Sequence, residues 1–530
     1  MNREDVCVID VPPSGRLRCR WFAALAGLAV ILVVPFALVD VPPVLDYPNH
    51  LARYFVLAHP GDVILSKMYQ PHWAILPNLA MDILGALALR ITDVHIGGRI
   101  LLSLSLLAPI FGVVIYHRVI FRRSFYWPLA SGLIAYNGIF FLGFMNFLLS
   151  LGLALIGGAA WIFLNRMQYF WTRIAVGAFA TVLIFFSHIF GVILFALLIG
   201  GDEIERLRKV RSFRRLSARE VVNAAAAILA SLAPAFLLYY LSPLDNAATA
   251  LGDWRGMSKV WRIFTPFMTT SFELTLLTVF VILAALILAR RKVTFAPGMP
   301  LIFAALFIAF IAAPSTIKSG TFIDGRFALM MGLLLFAGMQ PHWTAGEAAV
   351  TSSAIAALIL VRSIYVGATW IDHRRDLDDL RAAIAHVQPG SLVLVARGQP
   401  GYLTDVRPQE RALPGIYRLD GHLAALLVIE RKAFWPLLFA NPNQQPLIVQ
   451  PPFDRIAQPL SEPVEWDALA TETPTRESLR TAPYLDNWRN NFDSVLLIDP
   501  PSKIADLEDR SPVYQGGYAQ LYSLNHRKPD

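Results

Sequence analysis

Apolar residues arrive in this chain as long uninterrupted blocks rather than alternating with polar ones, beginning with Trp21–Val39. A helix of about 20 apolar residues covers the hydrocarbon core of a bilayer, so each block is expected to be a membrane span. The later blocks are Ile100–Tyr116, Tyr126–Phe141, Asn146–Leu164, Thr172–Gly200, Val221–Leu241, Ser271–Ala289, Pro300–Ala313, Phe327–Met339 and Ala348–Gly367. Thr172–Gly200 is long for one span, and both of its flanks, Asn165–Arg173 and Asp202–Arg219, are basic. Positive loops stay in the cytoplasm, so parity asks for two short spans that turn near Ser187 and His188. The pattern predicts a polytopic α-helical membrane protein of about eleven spans.

Arg16, Arg18 and Arg20 precede the first block as in a signal peptide, but no small-x-small cleavage site follows. Residues 1–20 are therefore expected in the cytoplasm, with 40–99 forming a first external loop. Within it, Trp73–Leu89 carries Pro77, Asn78 and Asp82 and reads as an interfacial or re-entrant helix. The membrane domain is expected to span 21–368. From Thr369 the pattern changes, and 369–530 reads as an extracytoplasmic α/β or α+β domain. Its expected strands are Ser391–Ala396, Pro446–Val449 and Asp493–Asp499, and its expected helices are Asp372–Val387 and Ala424–Phe439.

Composition sharpens the picture. Of 530 residues 56% are hydrophobic and 16% charged, with mean hydropathy +0.52, which excludes a purely soluble protein. The net charge of +8 lies mostly between apolar blocks, where it reports topology rather than a nucleic-acid partner. Cys7 and Cys19 both precede the first span and cannot staple an external domain. The zinc helix His-Glu-x-x-His, the Gly-x-Ser-x-Gly elbow and the phosphate-binding Walker loop are absent from the sequence, which disfavours metalloprotease and ATP-driven chemistry.

The densest polar string is Asp46-Tyr47-Pro48-Asn49-His50, just outside the first span. If Pro48 opens a helix, Asp46 and His50 lie one turn apart and could meet one ligand or metal; alternatively Asp46 caps the helix and His50 is solvated. Asp82 stands in an apolar segment, where an acid faces either a polar cavity or water at the interface. His188 faces either an external turn or a neighbouring helix, and Asn137 and Asn146, beside Gly138 and Gly143, suit close helix packing or ligand binding. Positive charge outside the membrane runs against the topological bias, and Arg255, Lys259, Arg262, Lys318 and Arg326 are all expected there. Arginine suits phosphate, although Asp253 and Asp324 are ready ion-pair partners.

One span, an external loop opening on the acid of Leu45-Asp46-Tyr47-Pro48, many further spans and a C-terminal external domain: this order resembles the GT-C superfamily of integral-membrane glycosyltransferases over residues 20–370. The chain also looks like bacterial membrane proteins of unassigned activity that carry Asp-Tyr-Pro-Asn-His and Gly-Phe-Met-Asn-Phe strings. The resemblance implies a bacterial plasma-membrane enzyme that transfers a sugar, with inversion, from a polyprenyl-phosphate carrier to a glycan, lipid or protein acceptor on the outer face. It implies Asp46 as general base, Arg326 with Arg255, Lys259 and Arg262 for the leaving phosphate, and His50, Asp82 and His188 as substrate-orienting groups. Many members pair two acids at this motif, whereas Tyr47 and Pro48 follow Asp46 here, so a divalent cation stays open. A transporter or flippase would show paired halves with matching helix breaks, which the sequence lacks, and a non-catalytic assembly protein would be indifferent to loss of Asp46.

Overall fold

A computed structural model describes residues 15–213, 215–246, 258–289, 293–317, 320–398, 412–413, 418–459, 461–469, 476–500 and 511–524. Its helices in chain order begin with α1 (Gly15–Val33), α2 (Tyr47–Ala58), α3 (Ala80–Ala88), α4 (Val94–Phe121) and α5 (Gly138–Leu142). They continue with α6 (Met145–Arg166), α7 (Phe170–Ser187), α8 (Ile189–Phe213), α9 (Ala218–Tyr240) and α10 (Ser258–Arg262). Then follow α11 (Phe272–Ala289), α12 (Met299–Ala312), α13 (Ile323–Ala337), α14 (Ala345–Ala385), α15 (Leu426–Arg431), α16 (Arg476–Thr481) and α17 (Trp488–Asn491). Among the described residues, seven helices are long and apolar enough to cross a membrane: α1 with the turn that follows it, α4, α6, α7, α9, α11 and α14. The chain thus has the make-up of a polytopic helical membrane protein.

Two compact units emerge from its contacts. The first holds Met1–Pro35, Ile75–Met81 and Leu102–Val366; the second holds Phe36–Ala74, Asp82–Leu101 and Gly367–Asp530. Most of the expected external loop therefore groups with the C-terminal segment, where the hydropathy pattern alone had assigned it to the membrane domain.

In the first unit, helices pack through small residues. A Cβ on Gly152 of α6 would stand 2.5 Å from the Ala108 carbonyl carbon on α4, so the two backbones touch. The expected break at His188 separates α7 from α8, with His188 extended at φ −170°. Tyr126–Phe141 is not one helix: a 3-10 helix over Trp127–Ile134 is followed by α5. Asn137 makes the change, because its Oδ1 accepts the Phe140 N–H at 3.0 Å and starts a new helix. Gly143 then ends α5 in the left-handed region at φ 87°. Arg362, fully buried on α14, donates to the carbonyl oxygens of Tyr136 (2.7 Å) and Phe267 (3.1 Å) and to Thr278 Oγ1 (2.7 Å).

Short strands lie in both units: β1 (Tyr69–Pro71), β2 (Val293–Phe295), β3 (Thr316–Ile317), β4 (Gly320–Thr321), β5 (Met339–Pro341), β6 (Val393–Arg397), β7 (Leu447–Val449), β8 (Val464–Glu465), β9 (Ser494–Ile498), β10 (Tyr514–Gln515) and β11 (Ala519–Ser523). In the second unit a five-stranded sheet runs β10-β11-β9-β6-β8, with β6 parallel to β8 and β9. β6 and β9 fall where two of the apolar runs placed strands. The third run, Pro446–Val449, forms β7 outside this sheet, antiparallel to β1 of the first loop. The helix expected over Ala424–Phe439 stops at Arg431, because Lys432 turns left-handed at φ 50° and Pro436 lacks the N–H a continuation needs.

Candidate functional site

The second unit gathers the polar string of the first loop around α2. Pro48 sits in the first turn, where its missing N–H costs nothing, and Asp46 takes the N-cap position. Its carboxylate makes no capping hydrogen bond. Instead Oδ1 lies 3.4 Å from His422 Nε2, and the side chain keeps 17% of its surface exposed. The positive end of the α2 dipole favours an anion at this position.

His422 is oriented by Asn49, one turn into α2. Asn49 Oδ1 accepts the Phe439 N–H at 2.7 Å, and its Nδ2 donates to the Leu437 carbonyl at 2.9 Å. Those two backbone contacts fix which end of the amide is nitrogen, and that nitrogen faces His422 Nδ1 at 3.3 Å. Nδ1 therefore accepts, and the proton of a neutral ring sits on Nε2, pointing at Asp46. Burial, with Arg397 nearby, pushes the His422 pKa down to about 3, so the ring is neutral at physiological pH. Arg397, at the end of β6, lies beside this corner: its Nη1 stands 3.6 Å from where a Cβ on Gly421 would be, an ordinary contact. Arg397 Nη2 also pairs with Glu462 at 2.7 Å.

One helical turn deeper, the other acid of the loop is neutralised. Arg53 Nε meets Asp82 Oδ1 at 2.5 Å, and both side chains are 1% exposed. Arg53 Nη2 also donates to His50 Nδ1 at 3.0 Å, while the His50 ring stacks on Tyr54 and meets Phe439 edge-on. Burial pushes the Asp82 pKa up against the pull of Arg53. Asp82 Oδ2 and Arg53 Nη1 find no hydrogen-bond partner among the described residues. Asp46 and His50 lie one turn apart as expected, yet they turn to different partners.

The first unit holds the remaining candidates. His188 Nδ1 faces the Phe190 N–H at 3.1 Å and Nε2 faces Arg326 Nη1 at 2.7 Å, so both ring nitrogens meet donors and a neutral ring accepts from one of them. Arg326 lies under the rings of Phe144, Phe147 and Phe190 and gives Nε and Nη2 to the Thr321 carbonyl. Lys259 is tied to the carbonyl oxygens of Phe310 and Ala313 at the end of α12, which is helix capping. Arg262 stands 3.9 Å from the buried Asp324 and 3.8 Å from the centre of the Phe322 ring. Asn146 joins Met81 N–H to the Asn78 carbonyl, a packing role. Arg255 and Lys318 lie outside the described residues.

No three His, Cys, Asp or Glu side chains gather as metal ligands among the described residues. What the arrangement offers chemically is one carboxylate with an oriented N–H behind it, able to take a proton from a hydroxyl. The sequence reading missed Asn49, Arg53, Arg397 and His422. Asn49 and His422 are 373 positions apart, so no local spacing announces them. No protein-family model matches the chain, and no curated protein matches it.

Proposed function

We propose that this protein is a membrane glycosyltransferase that moves a sugar from a polyprenyl-phosphate carrier to a cell-envelope acceptor, with Asp46 as the base that deprotonates the acceptor hydroxyl. One observation carries the reading: of the two acids in the first loop, Asp82 is buried against Arg53, whereas Asp46 is partly exposed and stands 3.4 Å from Nε2 of the oriented His422. A carboxylate so held accepts a proton with its second oxygen while its first stays fixed. Attack on the sugar carbon opposite the leaving phosphate then inverts it, and the phosphate leaves as an anion. Arg326, with His188 2.7 Å from its Nη1, is the group the reading assigns to a phosphate, since the planar guanidinium suits phosphate oxygens.

The same reading has about eleven crossings, with the N-terminus in the cytoplasm and the C-terminal segment outside. Arg166, ending α6, donates to the Ile120 carbonyl at the end of α4, so the two helices end at the same side. The segment between them must cross back, which makes Trp127–Leu142 a crossing built from a 3-10 helix and α5.

The test is Asp46→Asn in the producing cell, with envelope glycans and lipid-linked sugars compared by mass spectrometry. Loss of one glycan product, with the donor lipid accumulating and the variant still folded, is expected; general-base loss slows such a step by about 10²–10⁴-fold. An unchanged glycan profile would overturn the assignment.

A further inference from the structure

The first unit contains a groove of about 390 Å³ walled by α1, the Trp127–Ile134 helix and α14, and its lining holds no Asp, Glu, Lys or Arg. Its deep wall is apolar: Leu28 and Ile359 meet over Gly132, at 2.6 and 3.1 Å from the position a Cβ would take there. Its other end is polar, lined by Thr351 and Ser352. Thr351 is 4% exposed, and its hydroxyl has no hydrogen-bond partner among the described residues.

Depth along the groove can be read from the two helices. Arg20 precedes Leu28 by eight residues, and Thr351 precedes Ile359 by the same eight. At a 1.5 Å rise per residue, each stands about 12 Å from the Leu28–Ile359 level along its helix. Both helices line the groove from their N-terminal ends inward, so Arg20 and Thr351 share the polar end. Trp21 Nε1 donates to the Phe125 carbonyl at 2.9 Å, which brings Arg122 and Arg123 to that end as well. Arg20, Arg122 and Arg123 are all exposed.

The polar end thus holds three arginines and a buried hydroxyl with no partner among the described residues, and an apolar channel leads away from it. A phospholipid is built the same way, with phosphate and ester carbonyl at one end and the acyl chain beyond. We infer that the groove binds one anionic phospholipid, with an acyl chain against Leu28 and Ile359, an ester carbonyl accepting from Thr351 Oγ1, and the headgroup among the three arginines. The lining's lack of charge excludes a charged peptide as occupant, and the arginines favour a net anion over a zwitterion. This site is independent of the transferase reading.

Native mass spectrometry of the full-length protein in mild detergent tests it, titrating dioleoylphosphatidylglycerol against dioleoylphosphatidylcholine. Wild type is expected to retain one phosphatidylglycerol with a preference of at least about tenfold, since basic residues near an anionic headgroup favour it over a zwitterion. Gly27 lines the groove, and a Cβ there meets nothing within 4 Å, so the side chain of Gly27→Leu begins in open space, occupies the channel and should abolish retention. Gly200→Leu, equally unobstructed and outside the lining, should behave as wild type. Arg122→Gln with Arg123→Gln changes only exposed side chains and should erase the preference between the two lipids. Undiminished retention by Gly27→Leu, or an unchanged preference in the double arginine variant, would overturn the assignment.

Discussion

Asp46 and Asp82, two carboxylates of the first loop, meet opposite fates, and that contrast is measurable. Asp82 is one half of a buried ion pair, so Asp82→Asn leaves Arg53 uncompensated and should destabilise the protein by about 3–5 kcal/mol. Replacing both, as Arg53→Met with Asp82→Leu, should recover most of that loss in thermal unfolding. Recovery would show that the pair serves packing; persistent loss of function in a stable double variant would show that it serves the reaction. His422 gives a pH signature. Its folded pKa is held near 3, against about 6.5 in an unfolded chain, so between these values only the unfolded chain takes up the proton. The associated stability is complete above about pH 6.5 and declines as pH falls toward 3. Wild type should therefore lose melting temperature more steeply than His422→Gln between pH 7 and 5, and parallel slopes would contradict a neutral buried ring. Asp46 at a helix start was legible from Pro48 two positions on. Its partner was not, because the tautomer of His422 is set by an amide far away in sequence.

At the scale of elements, hydropathy located the long helices and missed where backbone chemistry interrupts them. Asn137 starting α5, Lys432 stopping α15 and the unexpected pairing of β7 with β1 each depend on single side chains or distant partners that a periodic pattern cannot register. The Gly152 contact is similar: a small residue was visible, the backbone it faces was not. Gly152→Leu should push α6 off α4 and cost about 1–3 kcal/mol or more, read as a drop in melting temperature in detergent. Tolerance of leucine there would mean that the two helices do not touch.

For the whole molecule, the hydropathy boundary near residue 369 falls where the contacts also divide, between Val366 and Gly367, but those contacts join more than the C-terminal segment into the second unit. The first loop carries its own apolar residues, and much of it folds with the C-terminal segment, so the two stretches that flank most of the membrane-spanning sequence make one unit. The proposed orientation predicts that a reporter fused after Gln168 is active only in the cytoplasm and one fused after Gly390 only outside; the same side for both would break the parity argument. The central claim, that Asp46 removes the acceptor proton in a sugar transfer, is tested most directly by reconstitution. Wild type and Asp46→Asn, each shown to be folded, would be placed in vesicles containing polyprenyl-phosphate sugars and an envelope extract as acceptor, and release of the carrier phosphate measured. The account predicts release by wild type and a loss of at least about 100-fold in the variant; equal release by both would contradict it.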